Sequence, residues 1–131
     1  MDTNASLKET LTGLFAAWSS GDVDAPAAFV TEDFRLMDTA FDQECLGWEA
    51  ARAFFAYAME LNPGVHMRPI DIWSTDERDL AVVRWVMTGS NAETGKPWEV
   101  EGVSTLRLRD GKVSEEVDYY TPAPIHDAAN A

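Results

Sequence analysis

Over the first twenty residues the apolar positions recur at helical spacing. Leu7, Leu11, Leu14, Phe15 and Trp18 share one face. Thr3 or Asn4 is placed to cap that helix, and Ser19-Ser20-Gly21 ends it. Asp22 or Asp24 then caps a short second helix that tolerates Pro26 in its first turn and buries Ala27, Ala28, Phe29 and Val30. Thr31-Glu32-Asp33 predicts a turn. Phe34–Asp38 predicts a short strand in which Phe34, Leu36 and Asp38 point the same way. Residues 39–47 predict a loop closed by Gly47. Trp48–Leu61 predicts the third helix, with Trp48, Ala51, Phe54, Phe55 and Ala58 inward and Asn62-Pro63-Gly64 as its stop.

From His66 onward the apolar period falls to two. His66–Trp73 is the first long strand, and Pro69 suggests that it lies at a sheet edge. Leu80–Gly89 places Val82, Arg84 and Val86 on one face and Val83, Trp85 and Met87 on the other. Trp98–Arg109 follows. Asp110-Gly111 then turns the chain tightly, because both residues tolerate positive φ. In the last strand, ending at Tyr120, Ser114, Glu116, Asp118 and Tyr120 share a face. A carboxylate and a phenol pointing inward are suited to lining a pocket, not to filling a core. Thr121 to Pro124 ends regular structure, and Asp127 to Ala131 predicts a frayed tail.

Three helices and then an antiparallel meander predict an α+β domain with the helices packed on one face of the sheet. The chain reads as one domain over 1–131, with an ordered core at about 5–122. Leu80–Met87 is apolar on both faces, so a second copy of the chain is the expected cover for the face the helices leave open. That homodimer would put Val83, Trp85 or Met87 in the contact.

Composition narrows the function. Twenty-three acidic residues against ten basic ones give a net charge of −13, which repels phosphate backbones and anionic membranes. Nucleic acid and membrane are therefore not expected partners. Hydrophobic residues make up 46 % of the chain, too many for disorder. A single cysteine, Cys45, leaves no intramolecular disulfide and no multi-thiolate metal site. No segment has the form of a signal peptide or a membrane span, so a cytoplasmic protein is the default. Two histidines and one cysteine far apart lack the spacing of a metal site, and neither a phosphate-binding glycine loop nor a nucleophile elbow is present. No cofactor or metal is expected.

The chemistry that remains is acid/base work by carboxylates. Asp118 is the leading candidate, because a carboxylate in an apolar pocket is pushed toward working pH. Its bland alternative is a solvated acid at a sheet end, paired with Arg84 or Arg107. Asp38 is a second candidate, or else a loop-capping aspartate. Arg84, set among valines, would need a carboxylate partner if buried, and Asp118 is the expected one; otherwise it snorkels to the rim. Tyr120 could donate to a substrate oxygen. Trp18 and Trp98 could floor a pocket for a flat ring. His66 is a further possible ligand contact at a strand mouth, although a lone histidine there is more often a surface residue. Glu99, Glu101 and Glu115 fall on the opposite face or in solvent.

The order of elements, with Leu14-Phe-Ala-Ala-Trp-Ser-Ser-Gly-Asp22, Phe34 to Asp38, Leu46-Gly-Trp-Glu-Ala-Ala51, Gly102 to Val113 and Asp118-Tyr-Tyr120, resembles the nuclear transport factor 2-like superfamily in its SnoaL-like and ketosteroid isomerase-like branches. The resemblance covers about residues 5–122. It implies a cone of curved antiparallel sheet and helices whose mouth holds a small hydrophobic ligand, commonly in a dimer. It matches Asp118 to the acid/base Asp of the SnoaL-like cyclases and Asp38 to the general base of the ketosteroid isomerases. The tyrosine and protonated acid of the isomerase oxyanion hole fall near Leu14 and Ser104, which cannot replace them. Of the limonene epoxide hydrolase set, Arg84 matches but the second Asp falls on Val86. A SnoaL-like enzyme performing isomerisation, cyclisation or dehydration on an oxygenated hydrophobic substrate is the expectation. A non-catalytic binding or dimerisation module of the same fold is the alternative.

Overall fold

The computed structural model describes the backbone of residues 3–130 and the side chains of residues 6–130. Helix α1 (Thr3–Trp18) buries the expected stripe of Leu7, Leu11, Leu14, Phe15 and Trp18. The capping expected of Thr3 or Asn4 lies outside the described side chains. The second helix is a single 3₁₀ turn, Ala25–Phe29, because Pro26 occupies its start and five residues give no room for an α-helix. Pro26 is its buried side chain, whereas Ala27 and Ala28 are exposed, contrary to expectation. Strand β1 runs Val30–Asp38, so Thr31–Asp33 is strand and not turn. Phe34, Leu36 and Asp38 do face inward. The expected loop contains a short strand, β2 (Gln43–Leu46), which lies antiparallel to β1 and precedes helix α2 (Trp48–Leu61).

The meander follows as β3 (His66–Ser74), β4 (Leu80–Ser90), β5 (Pro97–Arg109) and β6 (Lys112–Tyr120). Asp110 and Gly111 make the β5–β6 turn at φ 53° and 80°, the geometry for which that dipeptide is suited. The sheet order is β2-β1-β6-β5-β4-β3, with Pro69 on an edge strand as expected. The sheet is curled and unclosed, and it is mixed, not wholly antiparallel, because β1 runs parallel to β6. No hairpin joins those two strands, so no turn constrains their direction.

Packing decides which face of the meander is inner. Val83 and Trp85 have no exposed surface. The Trp85 ring lies on Gly102 of β5, where a Cβ would come within 2.3 Å of it. Only glycine lets so large a ring lie flat on the neighbouring strand. The homodimer contact expected of Val83, Trp85 and Met87 is therefore corrected: all three belong to the interior side, and Val82, Arg84 and Val86 to the outside. On β6 the register slips between Arg107 and Leu108, leaving Ser114 unpaired. The inward row of Asp118 and Glu116 thus does not continue to Ser114, whose hydroxyl donates to the Arg107 carbonyl in an exposed position.

The chain does not end in a frayed tail at Asp127. Ala123–Ala129 forms a third helix, α3, against β5, started by prolines that suit a first turn. The Thr94 hydroxyl donates to the Ala128 carbonyl (2.6 Å) and Lys96 Nζ to that of Asn130 (2.9 Å). Ala131 lies outside the described residues. Among the described residues no helix is long and apolar enough to cross a membrane.

Candidate active site

Between α2, α3 and the inner face of the sheet lies a cavity of about 540 Å³, within the size range of small-molecule sites. Its polar floor follows from strand register. Asp38 of β1 is level with Asp118 of β6, and Asp118 is level with Ser104 of β5. Three adjacent strands therefore deliver three polar side chains to one spot. Glu116, two residues before Asp118, projects from the same face and is 1 % exposed.

Neutral donors hold these carboxylates. The Trp85 indole N–H donates to Ser104 Oγ (2.8 Å), and the Ser104 hydroxyl donates to Asp118 Oδ1 (2.5 Å). The Tyr120 hydroxyl donates to Asp38 Oδ2 (2.7 Å), and the Phe41 amide to Asp38 Oδ1 (3.2 Å). The Trp18 indole donates to Glu116 Oε1 (3.1 Å). Trp85 and Tyr120 pack edge to face at 5.6 Å, which fixes both donors.

Burial governs the protonation of the site. It pushes Asp118 up to about 6, against the hydrogen bonds from Glu116 and Ser104 that hold it down, while the Asp38 charge adds to the rise. It pushes Glu116 well above the carboxylate range, and the neighbouring Asp118 charge adds to this. Asp38 is raised by burial, against the Tyr120 hydrogen bond. The Tyr120 phenol is raised by burial and then by the Asp38 charge, so it stays a donor. At neutral pH Glu116 is accordingly a neutral acid that donates, and Asp118 is the carboxylate that accepts. Two such groups side by side cannot both ionise cheaply. A buried base that titrates near 6 and a neutral acid beside it are the groups that proton transfer at pH 7 requires.

Of the residues singled out in the sequence, Asp38, Asp118, Tyr120, Trp18 and Trp98 all line this cavity. Trp98 is held by its indole N–H on Asn62 Oδ1 (3.0 Å). Arg84 does not join them. It lies on the outer face, with Nη2 3.0 Å from Asp71 and Nη1 3.9 Å from Glu101, so its expected pair with Asp118 is corrected. Alternation along β4 was sound, but the side bearing Val83, Trp85 and Met87 is the more apolar and takes the interior. His66 is exposed on the edge strand, and Met67 beside it turns inward instead.

Glu116 is the residue sequence reasoning passed over, although its parity with Asp118 was available. Ser104 was considered only as a failed oxyanion acid, and it serves as the hydroxyl that orients Asp118. Phe41, Ile125 and His126 form one side of the mouth, with the Phe41 and His126 rings 5.7 Å apart. They could not be anticipated without α3. Among the described residues, no group of three His, Cys, Asp or Glu side chains is disposed to hold a metal ion.

The fold is a cone of helices and curled sheet around a carboxylate-floored pocket. The match of residues 11–116 to the SnoaL-like domain model is more particular, and the chain belongs to that family. No curated protein sequence matches it. Among solved structures it is similar to a proposed polyketide cyclase from Xanthomonas campestris pv. campestris, at 20 % identity and TM-score 0.87 over 98 % of this chain and 100 % of that one. It is also similar to a proposed SnoaL-like polyketide cyclase from Jannaschia sp. CCS1 (26 %, TM-score 0.82, 97 % and 93 %). A third is a protein with a ketosteroid isomerase-like fold from Catenulispora acidiphila DSM 44928, in complex with trimethylamine (21 %, TM-score 0.84, 92 % and 91 %).

Proposed function

We propose that the chain is an enzyme that moves protons on a hydrophobic, oxygenated small molecule, by isomerisation, cyclisation or dehydration. The observation that carries this reading is Asp118: a carboxylate within an apolar cavity, oriented by Ser104 and titrating near 6. In this reading Asp118 takes a proton from a carbon beside a carbonyl. The electron pair moves onto the carbonyl oxygen, and Glu116, whose proton Asp118 no longer accepts once it is itself protonated, donates a hydrogen bond there. Asp38 is the second carboxylate, held in place by Tyr120. Trp18 and Trp98 flank the ring of the substrate. An open cavity, in contrast to one filled by Trp and Phe, supports the enzyme over a binding module of the same fold. The polyketide cyclase names of two structural relatives point the same way, and the trimethylamine-bound relative supports small-molecule binding.

The test is hydrogen exchange. Ring ketones that raise the melting temperature are incubated with the protein in D₂O, and α-deuteration is followed by NMR. Wild type is expected to accelerate exchange, and Asp118→Asn to lose on the order of 10²-fold or more while still binding. Binding without exchange in the wild type would leave the binding module standing.

A further inference from the structure

The charges around the cavity are one-sided. Three acidic side chains face it, and none of the ten lysines and arginines lines it. Five of the seven arginines turn outward to surface acids: Arg35 to Glu44 and Glu115, Arg52 to Asp24, Arg84 to Asp71, Arg107 to Glu77 and Arg109 to Asp33. His126, exposed at the mouth, is the one basic side chain in the lining. Inside, Asp38 is 7 % exposed and Asp118 9 %, and every hydrogen bond to their carboxyl oxygens comes from an uncharged donor. Those donors satisfy lone pairs and leave the charge uncompensated. Buried carboxylates are ordinarily matched by a cation or give up their charge. The walls beside them are aromatic: Trp18, Trp98 and Tyr120 line the same space. Aromatic faces together with a carboxylate are what recognises an alkylammonium group. The net charge of −13 acts in the same direction at long range, drawing cations to the mouth and repelling anions.

We propose that this cavity selects ligands bearing a protonated amine on a hydrophobic body, with the ammonium group beside Asp38 and Asp118, and that it rejects carboxylates of the same size. The inference names a substrate class for the site proposed above and rests on that site binding small molecules. It does not need the site to be catalytic. The ammonium group supplies the missing countercharge, and the neutral remainder of the ligand fills the apolar wall formed by Phe54, Phe55, Met67 and Met87. A free carboxylate would instead meet two negative groups with no cation in reach.

Three probes of one shape separate the terms: 2-(2-naphthyl)ethylamine, 2-(2-naphthyl)ethanol and 2-naphthylacetate, titrated calorimetrically at pH 7.5. The amine is expected to bind at least tenfold tighter than the alcohol, and the acetate more weakly than either. Asp38→Asn and Asp118→Asn should each cut the amine-over-alcohol ratio several-fold, and the double variant should bring it near one. Retained affinity for the alcohol in these variants shows that the cavity is intact. An alcohol that binds as well as the amine overturns the proposal, as does a preference that survives both substitutions, or no binding of the amine at millimolar concentration. The two readings fail separately. An alcohol preference together with ketone exchange that depends on Asp118 sinks the cation and keeps the enzyme. An amine preference without exchange does the reverse.

Discussion

Glu115 and Glu116 are neighbours on β6 and differ in almost every physical respect. Glu115 faces out, where Arg35 reaches it at 3.2 Å while also holding Glu44 at 2.8 Å. Water screens that cluster, so its net worth is small. Glu116 faces in, is 1 % exposed, and has an indole in place of a guanidinium. It keeps its proton because burial penalises the charge and Asp118 penalises it further. One residue of strand thus separates a solvated ion pair from a neutral acid that can donate. Acidic composition alone says nothing about chemistry; the face on which each acid lands decides it.

The sharpest way to break that contrast is kinetic. Loss of Asp118 as Asn should cost on the order of 10²-fold or more in α-proton exchange, whereas Glu115→Gln should stay within about twofold. In the wild type the exchange rate should climb about tenfold per pH unit below 6 and level off above it, because the base must be ionised and Asp118 titrates at about 6. A flat profile from pH 5 to 8 would take Asp118 out of the role of base.

The next effect is on stability, and its sign follows from the same group. Asp118 binds its proton more tightly folded than unfolded, since its value rises from 3.8 to about 6. Its contribution is therefore fully present below about 4 and is lost as pH rises through about 6. A shift of that size corresponds to about 1–3 kcal/mol. Asp118→Asn should be the more stable protein at pH 8 by that order, and the difference should vanish near pH 4. Denaturant titrations of the two proteins at both pH values measure it. Outer acids behave oppositely: the hydrogen bond from Arg52 lowers Asp24 and that from Arg109 lowers Asp33, so their contributions fade on acidification.

A third comparison sets two substitutions at Glu116 against each other. Gln reproduces the neutral acid, accepting from Trp18 and donating toward Asp118, so Glu116→Gln should change stability by less than about 1 kcal/mol. Ala leaves the Trp18 indole N–H buried without its acceptor and opens a void, for which about 1–3 kcal/mol is usual. A Gln variant clearly more stable than wild type at pH 7, the behaviour expected of Asp118→Asn at pH 8, would mean that Glu116 is ionised in the native protein.

Much of this was legible in the chain, and the rest was not, for identifiable reasons. Period-two alternation placed Asp118, Tyr120 and Asp38 on inward faces, and helical spacing found the α1 stripe. Asp110-Gly111 announced its own hairpin, since few pairs of residues accept two positive φ angles. Alternation, however, only sorts a strand into two sets, and which set faces in is a tertiary matter. That is why Arg84 was matched to the pocket and Trp85 to a dimer contact, the reverse of the packing. The bulge at Ser114 and the parallel β1–β6 pairing are likewise properties of strand partners, not of either strand alone. Pro122 and Pro124 were read as the end of structure, whereas they start α3, a position proline also favours.

The smallest expected effect lies on the outer face and tests that reversal directly. Arg84 and Asp71 have side chains 44 % and 41 % exposed, so their attraction acts through water, and holding two mobile side chains together costs entropy. Measured pairs of this kind contribute about 0–1 kcal/mol, and salt screens them. Arg84→Ala should therefore lower stability by no more than about 1 kcal/mol in dilute buffer, and by less in 1 M NaCl, where the Debye length falls to about 3 Å. Exchange of a ring ketone should remain within about twofold of wild type, because no atom of Arg84 reaches the cavity. An Arg84 that instead balanced Asp118 inside would behave differently on both counts. Removing it would strand a buried carboxylate, cost about 3–5 kcal/mol, and move the rise in rate to higher pH. The two outcomes differ severalfold in the shift of the denaturation midpoint, so one titration with one salt control separates them.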